Sequence, residues 1–193
     1  MSKLTDYGIP EVGSGLLHPK HQDRWRLTFN KIGSEGMDSK NLSFQAVKVN
    51  RPQLTFSEME LHRYNSRAWI AGKHEWNDCE VTIEDDITGT ASKVVQAQIN
   101  RQKWLTGSDG AWLKAAPDGA SYKFASVIEM LDGGEEVLEK WYLEGCWIKV
   151  ANYGDLDYSA NEKVTIALTI RYDHARQELK TYANGNALGG HAA

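Results

Sequence analysis

Alternation of apolar and polar side chains over residues 77–84 is the feature that most constrains how this chain folds. Every second residue shares a face, and the more apolar face holds Asn77, Cys79, Val81 and Ile83. A period of two predicts a β-strand with one face in a core and the other in water. Residues 164–172 and 24–32 repeat the pattern, so we expect these segments to join an antiparallel sheet.

Other segments add strands to this sheet. A strand is predicted over 42–50, ending before Pro52, which lacks a ladder donor. Residues 122–131 and 137–143 flank a Gly-containing turn, which predicts a β-hairpin because glycine adopts positive φ readily. Both strands of that hairpin are apolar on much of both faces, which is more apolar surface than a sheet with one wet face needs.

The period changes after Asp85 and Asp86. Apolar residues then recur at the spacing of one helix face, at Ala91, Val94, Val95, Ile99 and Leu105. The two aspartates precede this helix, where the positive end of its dipole favours them. The chain is therefore predicted to be α+β and mainly β: an antiparallel β-barrel or sandwich with one flanking α-helix.

The chain of 193 residues has room for one sizeable domain with extended ends. We predict an N-terminal arm over 1–22, the domain over 23–182, and a flexible C-terminal tail over 183–193. Both ends are rich in small and turn-forming residues with little periodicity.

Charge and composition narrow the function. The net charge of −4 argues against affinity for nucleic acid built on a basic face. No apolar run reaches the length of a membrane span, so we expect a soluble protein with no membrane partner. Cys79 and Cys146 are predicted to be buried thiols, with an inter-subunit disulfide as the alternative.

Catalytic patterns are missing from the sequence. It has neither a P-loop nor a G-x-G-x-x-G turn for phosphates, and no G-x-S-x-G elbow for a serine nucleophile. We therefore expect no enzymatic activity, no cofactor and no metal.

A surplus of apolar side chains lies outside the expected core faces. Residues 54–73 begin like a strand and then mix aromatic, aliphatic and basic residues without clear period, and Trp104 lies off the helix face. Such residues indicate surfaces buried against partner molecules. The alternative is a loop folded back on its own core.

The order of these features resembles the tail tube proteins of contractile-tailed bacteriophages, which are related in fold to pyocin and type VI secretion tubes. The matching segments are 76–86, the helix that follows, 122–125, 141–147 and 164–173. Together they cover roughly residues 24 to 173.

This resemblance implies a β-barrel-like sandwich, six copies of which form a ring, with rings stacked into the conduit for DNA ejection. The implied partners are further copies of the chain, the tail sheath protein, the tape measure protein, and baseplate and terminator proteins. DNA would pass through without specific binding. The implied location is the virion tail, after assembly in the host cytoplasm.

The resemblance also assigns roles to residues. Segment 54–73 corresponds to a long loop that reaches a neighbouring ring or subunit. The predicted inter-subunit contacts are Met59, Leu61, Tyr64, Trp69, Ile70 and Trp104. An acidic lumen would repel DNA phosphates. The predicted lumen residues are Glu129, Glu135, Glu136 and Glu139, with a ring-to-ring contact at the hairpin tip as their alternative.

Two other functions remain open at the level of sequence. One is the tube protein of a type VI-like secretion or tailocin particle. The other is a small-ligand-binding or hydrolytic β-barrel protein, which would need polar groups converging in a pocket.

Overall fold

The structure is a computed structural model that describes residues 20–33, 39–103, 121–132, 136–159 and 161–180. Its elements, in chain order, are β1 (Trp25–Asn30), α1 (Ser39–Phe44), β2 (Ala46–Val49), β3 (Leu54–Arg63), β4 (Ser66–Trp76), β5 (Cys79–Glu84), α2 (Thr90–Lys103), β6 (Phe124–Leu131), β7 (Val137–Asn152), β8 (Thr165–Arg171) and β9 (His174–Leu179). Neither helix in this part of the chain is long and apolar enough to cross a membrane.

Two antiparallel sheets share the long strand β7. The first sheet has the order β1-β6-β7-β9 and uses the first part of β7. The second sheet has the order β7-β8-β5-β2 and uses the last part of β7. Strands β1 and β2 do not pair with each other, so the described strands form an open sandwich. The predicted fold class is confirmed in its sandwich form.

Gly145 lies where β7 passes from one sheet to the other. Its φ is +68°, and a Cβ added there would lie 2.2 Å from Oδ2 of Asp173. Asp173 is in turn held by an ion pair with Lys123 at 2.5 Å. Only glycine meets both the backbone conformation and the close approach at this point.

The core lies between the two sheets and one face of α2. Its largest fully buried apolar side chains are Phe29, Leu27, Leu42, Ile83, Ile128, Leu143, Ile166, Leu168 and Ile170. Helix α2 contributes Ala91, Val94 and Val95, as its periodicity predicts.

The start of α2 is capped by the two aspartates that precede it. Asp86 accepts a hydrogen bond from the backbone N–H of Thr90 at 2.7 Å. Asp85 accepts one from the hydroxyl of Ser92. The Thr88 hydroxyl and the Thr90 N–H lower the pKa of Asp86, which keeps it charged beside the helix N-terminus.

Three segments differ from their predictions. Residues up to Phe44 form α1 rather than a strand, because Leu42 anchors a short helix in the core, and only Ala46–Val49 pairs with β5. Segment 54–73 is not irregular but lies within the β3–β4 hairpin. Strand β9 was not predicted, because among its residues only Ala175 is buried and the alternation is lost.

Candidate assembly surfaces

The β3–β4 hairpin is a two-stranded sheet that no other described strand extends. Nine residue pairs join its strands, from Leu54 opposite Trp76 to Arg63 opposite Ser66. Tyr64 and Asn65 form the tip, and Tyr64 has a φ of +44°. No residue of either strand is fully buried, and only Trp76 at the base of the hairpin packs against the core among the described residues of the hairpin.

Apolar side chains are exposed on both faces of this hairpin. Met59 lies directly opposite Ile70, and Leu61 is half-buried beside them on the same face. Trp69 lies on the other face, opposite Glu60, and is 59% exposed. Tyr64 is fully exposed. Five of the six predicted contact residues are thus gathered on one projecting element, and Trp104 lies outside the described residues.

The base of the hairpin is fixed to the end of the second sheet. The Trp76 ring lies 5.9 Å from that of Tyr172 and 6.1 Å from that of His174, between ring centroids. Arg171 forms ion pairs with Glu75 at 2.8 Å and with Asp78 at 3.0 Å. These contacts hold the base while the apolar tip stays in solvent.

The first sheet has two unpaired edges. Within the described residues β1 pairs only with β6, and β9 pairs only with β7. Unpaired edges present backbone donors and acceptors that readily add another strand. The long predicted hairpin, now β6 and β7, forms the middle of this sheet.

Glu129 is at the centre of an ionic cluster on the outer face of the first sheet, opposite the core. Arg26 donates to Oε2 of Glu129 at 2.7 and 2.5 Å, and Lys140 lies 3.1 Å from Oε1. Burial opposes the charge of Glu129, but the hydrogen bonds from Arg26 and Lys140 outweigh it and lower its pKa.

Glu139 is turned toward the core side, where its side chain is 3% exposed. It accepts hydrogen bonds from Lys20 at 2.5 Å, from the Trp141 indole at 2.5 Å and from Gln177 at 2.8 Å. Burial opposes ionisation, but these donors prevail and its pKa is lowered. Glu136 pairs with Lys180. Glu135, the fourth predicted lumen residue, lies outside the described residues.

A loop at the far end of the second sheet exposes a second set of apolar side chains. The hairpin leads into β5 at Cys79, whereas the loop after β7 leads into β8 at Thr165, which lies opposite Glu84 at the other end of β5. At about 3.4 Å per residue, the two ends of β5 are roughly 17 Å apart. Leu156 and Tyr158 of this loop are exposed.

Both cysteines are free and buried. Desolvation raises the pKa of Cys79 to about 12 and that of Cys146 to about 11. Both thiols are therefore buried in the core, as predicted. They stay protonated at neutral pH and do not act as nucleophiles there.

The described residues thus leave an apolar hairpin, an apolar loop and two sheet edges uncovered around a buried core. The tail tube protein of Serratia phage KSP90 is 23% identical over 179 residues, which are 91% of this chain and 97% of that protein. The chain is therefore similar to a phage tail tube protein over nearly its whole length. No protein-family model matches it.

Solved structures of proteins from contractile injection particles have the same fold as this chain. The tube-terminating cap of the anti-feeding prophage superposes with a TM-score of 0.61 at 13% identity, covering 86% of this chain and 95% of the cap protein. A protein of the sheath–tube complex of the extracellular contractile injection system PVC superposes with a TM-score of 0.57 at 9% identity, covering 93% and 100% of the two chains. At these identities the structural likeness shows the fold.

The sequence did not disclose two parts of these surfaces. Strand β9, which forms one edge of the first sheet, carries too few apolar residues to be noticed. The pairing of Arg26 with Glu129 joins residues 103 positions apart, and only the register of β1 against β6 brings them together.

Proposed function

We propose that this chain is the structural, non-enzymatic subunit of the inner tube of a contractile tail. Six copies would form each ring, and stacked rings would form the conduit for DNA ejection. The observation that carries the proposal is the first sheet with its two unpaired edges, because neighbouring copies in a ring can join such sheets edge to edge. The relationship to a phage tail tube protein supports it.

The β3–β4 hairpin is the proposed contact between rings. It lies at one end of the second sheet, and the exposed loop over 153–159 and 161–164 lies at the other. Arg63 and Arg67 lie beside the tip, Arg67 in an ion pair with Glu60 at 3.1 Å, whereas the loop carries Asp155 and Asp157. Opposite charges and exposed apolar groups at opposite ends favour head-to-tail stacking, in which the hairpin of one ring contacts the loop of the next.

The outer face of the first sheet is the proposed lumen wall. Glu129 lies on this face and Glu136 at its rim, so both stay lumen candidates together with Glu135. Glu139 faces the core, and we do not propose it for the lumen. The cations Arg26 and Lys140 are balanced by the anions Glu129 and Glu178 on the same face, so the wall has no strong positive field to retain DNA phosphates.

The remaining partners follow from the same proposal. A sheath protein would surround the tube, a tape measure protein would occupy its lumen during assembly, and baseplate and terminator proteins would bind its two ends. The tube would be assembled in the host cytoplasm and become part of the virion tail. The similar structures from the anti-feeding prophage and PVC favour a tailocin-like injection particle as the second candidate.

Negative-stain electron microscopy of the purified chain tests the proposal. We expect hexameric rings and tubes. Trp69→Ser should leave rings but abolish tubes, because it removes an exposed apolar group from the hairpin and not from the ring edges. Lys73→Ser, which alters an exposed polar residue of the same strand, is the matched control and should form tubes. A compact monomer by light scattering, with no rings at any concentration, would contradict the function.

A further inference from the structure

A row of four charged residues crosses the first sheet from edge to edge. Arg26 of β1 lies opposite Glu129 of β6, Glu129 opposite Lys140 of β7, and Lys140 opposite Glu178 of β9. Directly opposite residues of antiparallel strands share a face. The charges therefore alternate in sign across all four strands.

The two ends of this row differ from its middle. Glu129 is held by ion pairs on both sides. Arg26 has an anion on one side only, and its side chain is 55% exposed at the β1 edge. Glu178 is exposed at the β9 edge; its charge helps to raise the pKa of Lys140 opposite it, but it forms no salt bridge within 4 Å with a described residue. The row therefore ends with the cation Arg26 at the β1 edge and with the anion Glu178 at the β9 edge.

We propose that β9 of one copy pairs antiparallel with β1 of the next, with Glu178 directly opposite Arg26, so that the alternating row continues around the ring. The occupant of each edge is a second copy of this chain, and the inference rests on the proposed ring function. Strand direction permits it: β1, β6, β7 and β9 alternate in direction, so β9 is antiparallel to β1 of a copy that stands in the same orientation.

The same register joins apolar groups on the core side of the sheet. It places Trp25 opposite Leu179, which is 51% exposed in the subunit. It also places Phe29 opposite Ala175. The apolar layer of one subunit would then continue into that of its neighbour, and Leu179 would lose its contact with water.

The charge placed opposite Arg26 distinguishes the proposed register from its neighbours. A shift of one residue would turn core-facing side chains to the outer face. A shift of two residues in either direction would place Arg26 opposite Arg176 or opposite Lys180, and like charges directly opposite one another are destabilising. Among these three registers, only the proposed one gives the exposed Arg26 an anionic partner. The shift that puts Arg26 opposite Arg176 puts Arg24 opposite Glu178, but Arg24 already donates to the carbonyl of Asp132.

One like-charge pair remains in the proposed register, formed by Arg24 and Lys180. Both residues lie just beyond the ends of their strands. Each already has a partner inside the subunit: Arg24 donates to the carbonyl of Asp132, and Lys180 pairs with Glu136. Both charges are therefore bound by groups of their own subunit and do not face each other across the new strand pair.

Disulfide trapping tests the register without altering the charged row. Thr28→Cys with Arg176→Cys should cross-link neighbouring copies, because directly opposite Cβ atoms lie about 4.5–5.5 Å apart and diagonal ones about 7–8 Å. The slip controls are Asn30→Cys with Arg176→Cys and Thr28→Cys with His174→Cys, which also leave the charged row intact. Native Cys79 and Cys146 are buried and should give no background.

The expected result on a non-reducing gel is a ladder of covalent multimers ending at six copies for the Thr28–Arg176 pair, and at least tenfold less cross-linking for both controls. Preferential cross-linking of a control pair would overturn the register. Wild-type rings seen by microscopy together with no Thr28–Arg176 cross-link would also overturn it and leave the proposed function standing. If wild-type protein forms no rings, the proposed function fails, and the register fails with it.

Charge reversal gives a second measurement that does not depend on disulfide geometry. Glu178→Lys should shift the ring–monomer equilibrium at least tenfold toward monomer, because it places a cation opposite Arg26 of the neighbour. Glu144→Lys makes the same change on β7, an interior strand of the same sheet, and should leave rings intact. Equal ring formation by Glu178→Lys and wild type would contradict the proposed pairing.

Discussion

At the scale of single residues, Glu129 shows how a charge is kept in a nearly buried position. Its side chain is 9% exposed and has a cation on each side. Removing one partner of such a cluster costs more than the cluster contributes, because the remaining charges lose their match in a poorly solvated place. The residue therefore couples the stability of the first sheet to its ionisation.

Glu129→Gln should destabilise the subunit by roughly 1 to 3 kcal/mol at pH 7, since Arg26 and Lys140 lose charged hydrogen bonds. The pKa of Glu129 is lowered in the folded chain. Its stabilisation is therefore present above the ordinary carboxyl pKa of about 4.3 and is lost as the pH falls through the lower folded value. Urea unfolding at pH 7 and pH 3 should show a smaller loss on acidification in the variant than in wild type. Glu58→Gln, on the exposed hairpin, is the control, and an equal pH dependence for Glu129→Gln and wild type would disprove the coupling.

Gly145→Ala should be among the most destabilising single changes in the chain. The positive φ costs about 1 to 2 kcal/mol for alanine, and the new Cβ would displace Asp173 from Lys123 at a further cost of about 1 to 3 kcal/mol. Gly89 has a φ of +64° with nothing within 4 Å of an added Cβ, so Gly89→Ala carries only the conformational cost. Denaturant midpoints of the two variants measure the difference, and equal midpoints would show that the contact with Asp173 is unimportant.

At the scale of elements, the strands and the helix that bury one regular face could be predicted from the sequence. Strands β5 and β8 and helix α2 have buried residues at their expected periods. Strand β6 ends at Leu131 and β7 begins at Val137, where the two hairpin strands were predicted to end and begin. The β3–β4 hairpin was hidden because its apolar residues are divided between both faces and none is buried. Strand β9 was hidden because a polar edge strand has no one-sided apolar pattern.

The candidate surfaces could be predicted from the sequence only where they consist of exposed apolar residues. Aromatic residues such as Trp69 lie outside the core faces that the sequence predicts. The segment that forms the hairpin could therefore be predicted as a contact surface, although its two strands could not. The burial of Glu139 could not, because it depends on Gln177 and Lys20, which the fold brings in from distant parts of the chain.

Arg171 gives the hairpin its anchorage, and this can be tested apart from assembly. Arg171→Gln removes ion pairs to Glu75 and Asp78 at the base, so the hairpin should detach more often. Limited trypsin digestion should then cut faster after Arg63 and Arg67. Lys163→Gln removes an exposed ion pair with Glu84, far from the base, and is the matched control. Unchanged cleavage in Arg171→Gln would mean that the packing of Trp76 suffices.

At the scale of the whole molecule, the subunit carries different groups at the two ends of its second sheet. Subunits with Trp69→Ser lack the proposed hairpin contact but retain the loop proposed to receive it. Mixed with wild type at about one part in ten, they should shorten tubes seen by microscopy, because each defective ring stops growth on its hairpin side. Lys73→Ser subunits at the same ratio should leave tube length unchanged. Undiminished length with Trp69→Ser would contradict head-to-tail stacking.

Head-to-tail stacking as proposed would give the tube a direction, because hairpin and loop are separated by the length of β5. One terminus always presents hairpins and the other always presents loops, however many rings lie between them. A starter protein needs to recognise only one of these termini, and a stopper only the other. Length control and orientation inside the particle can therefore rest on a distinction that every subunit carries at its own two ends.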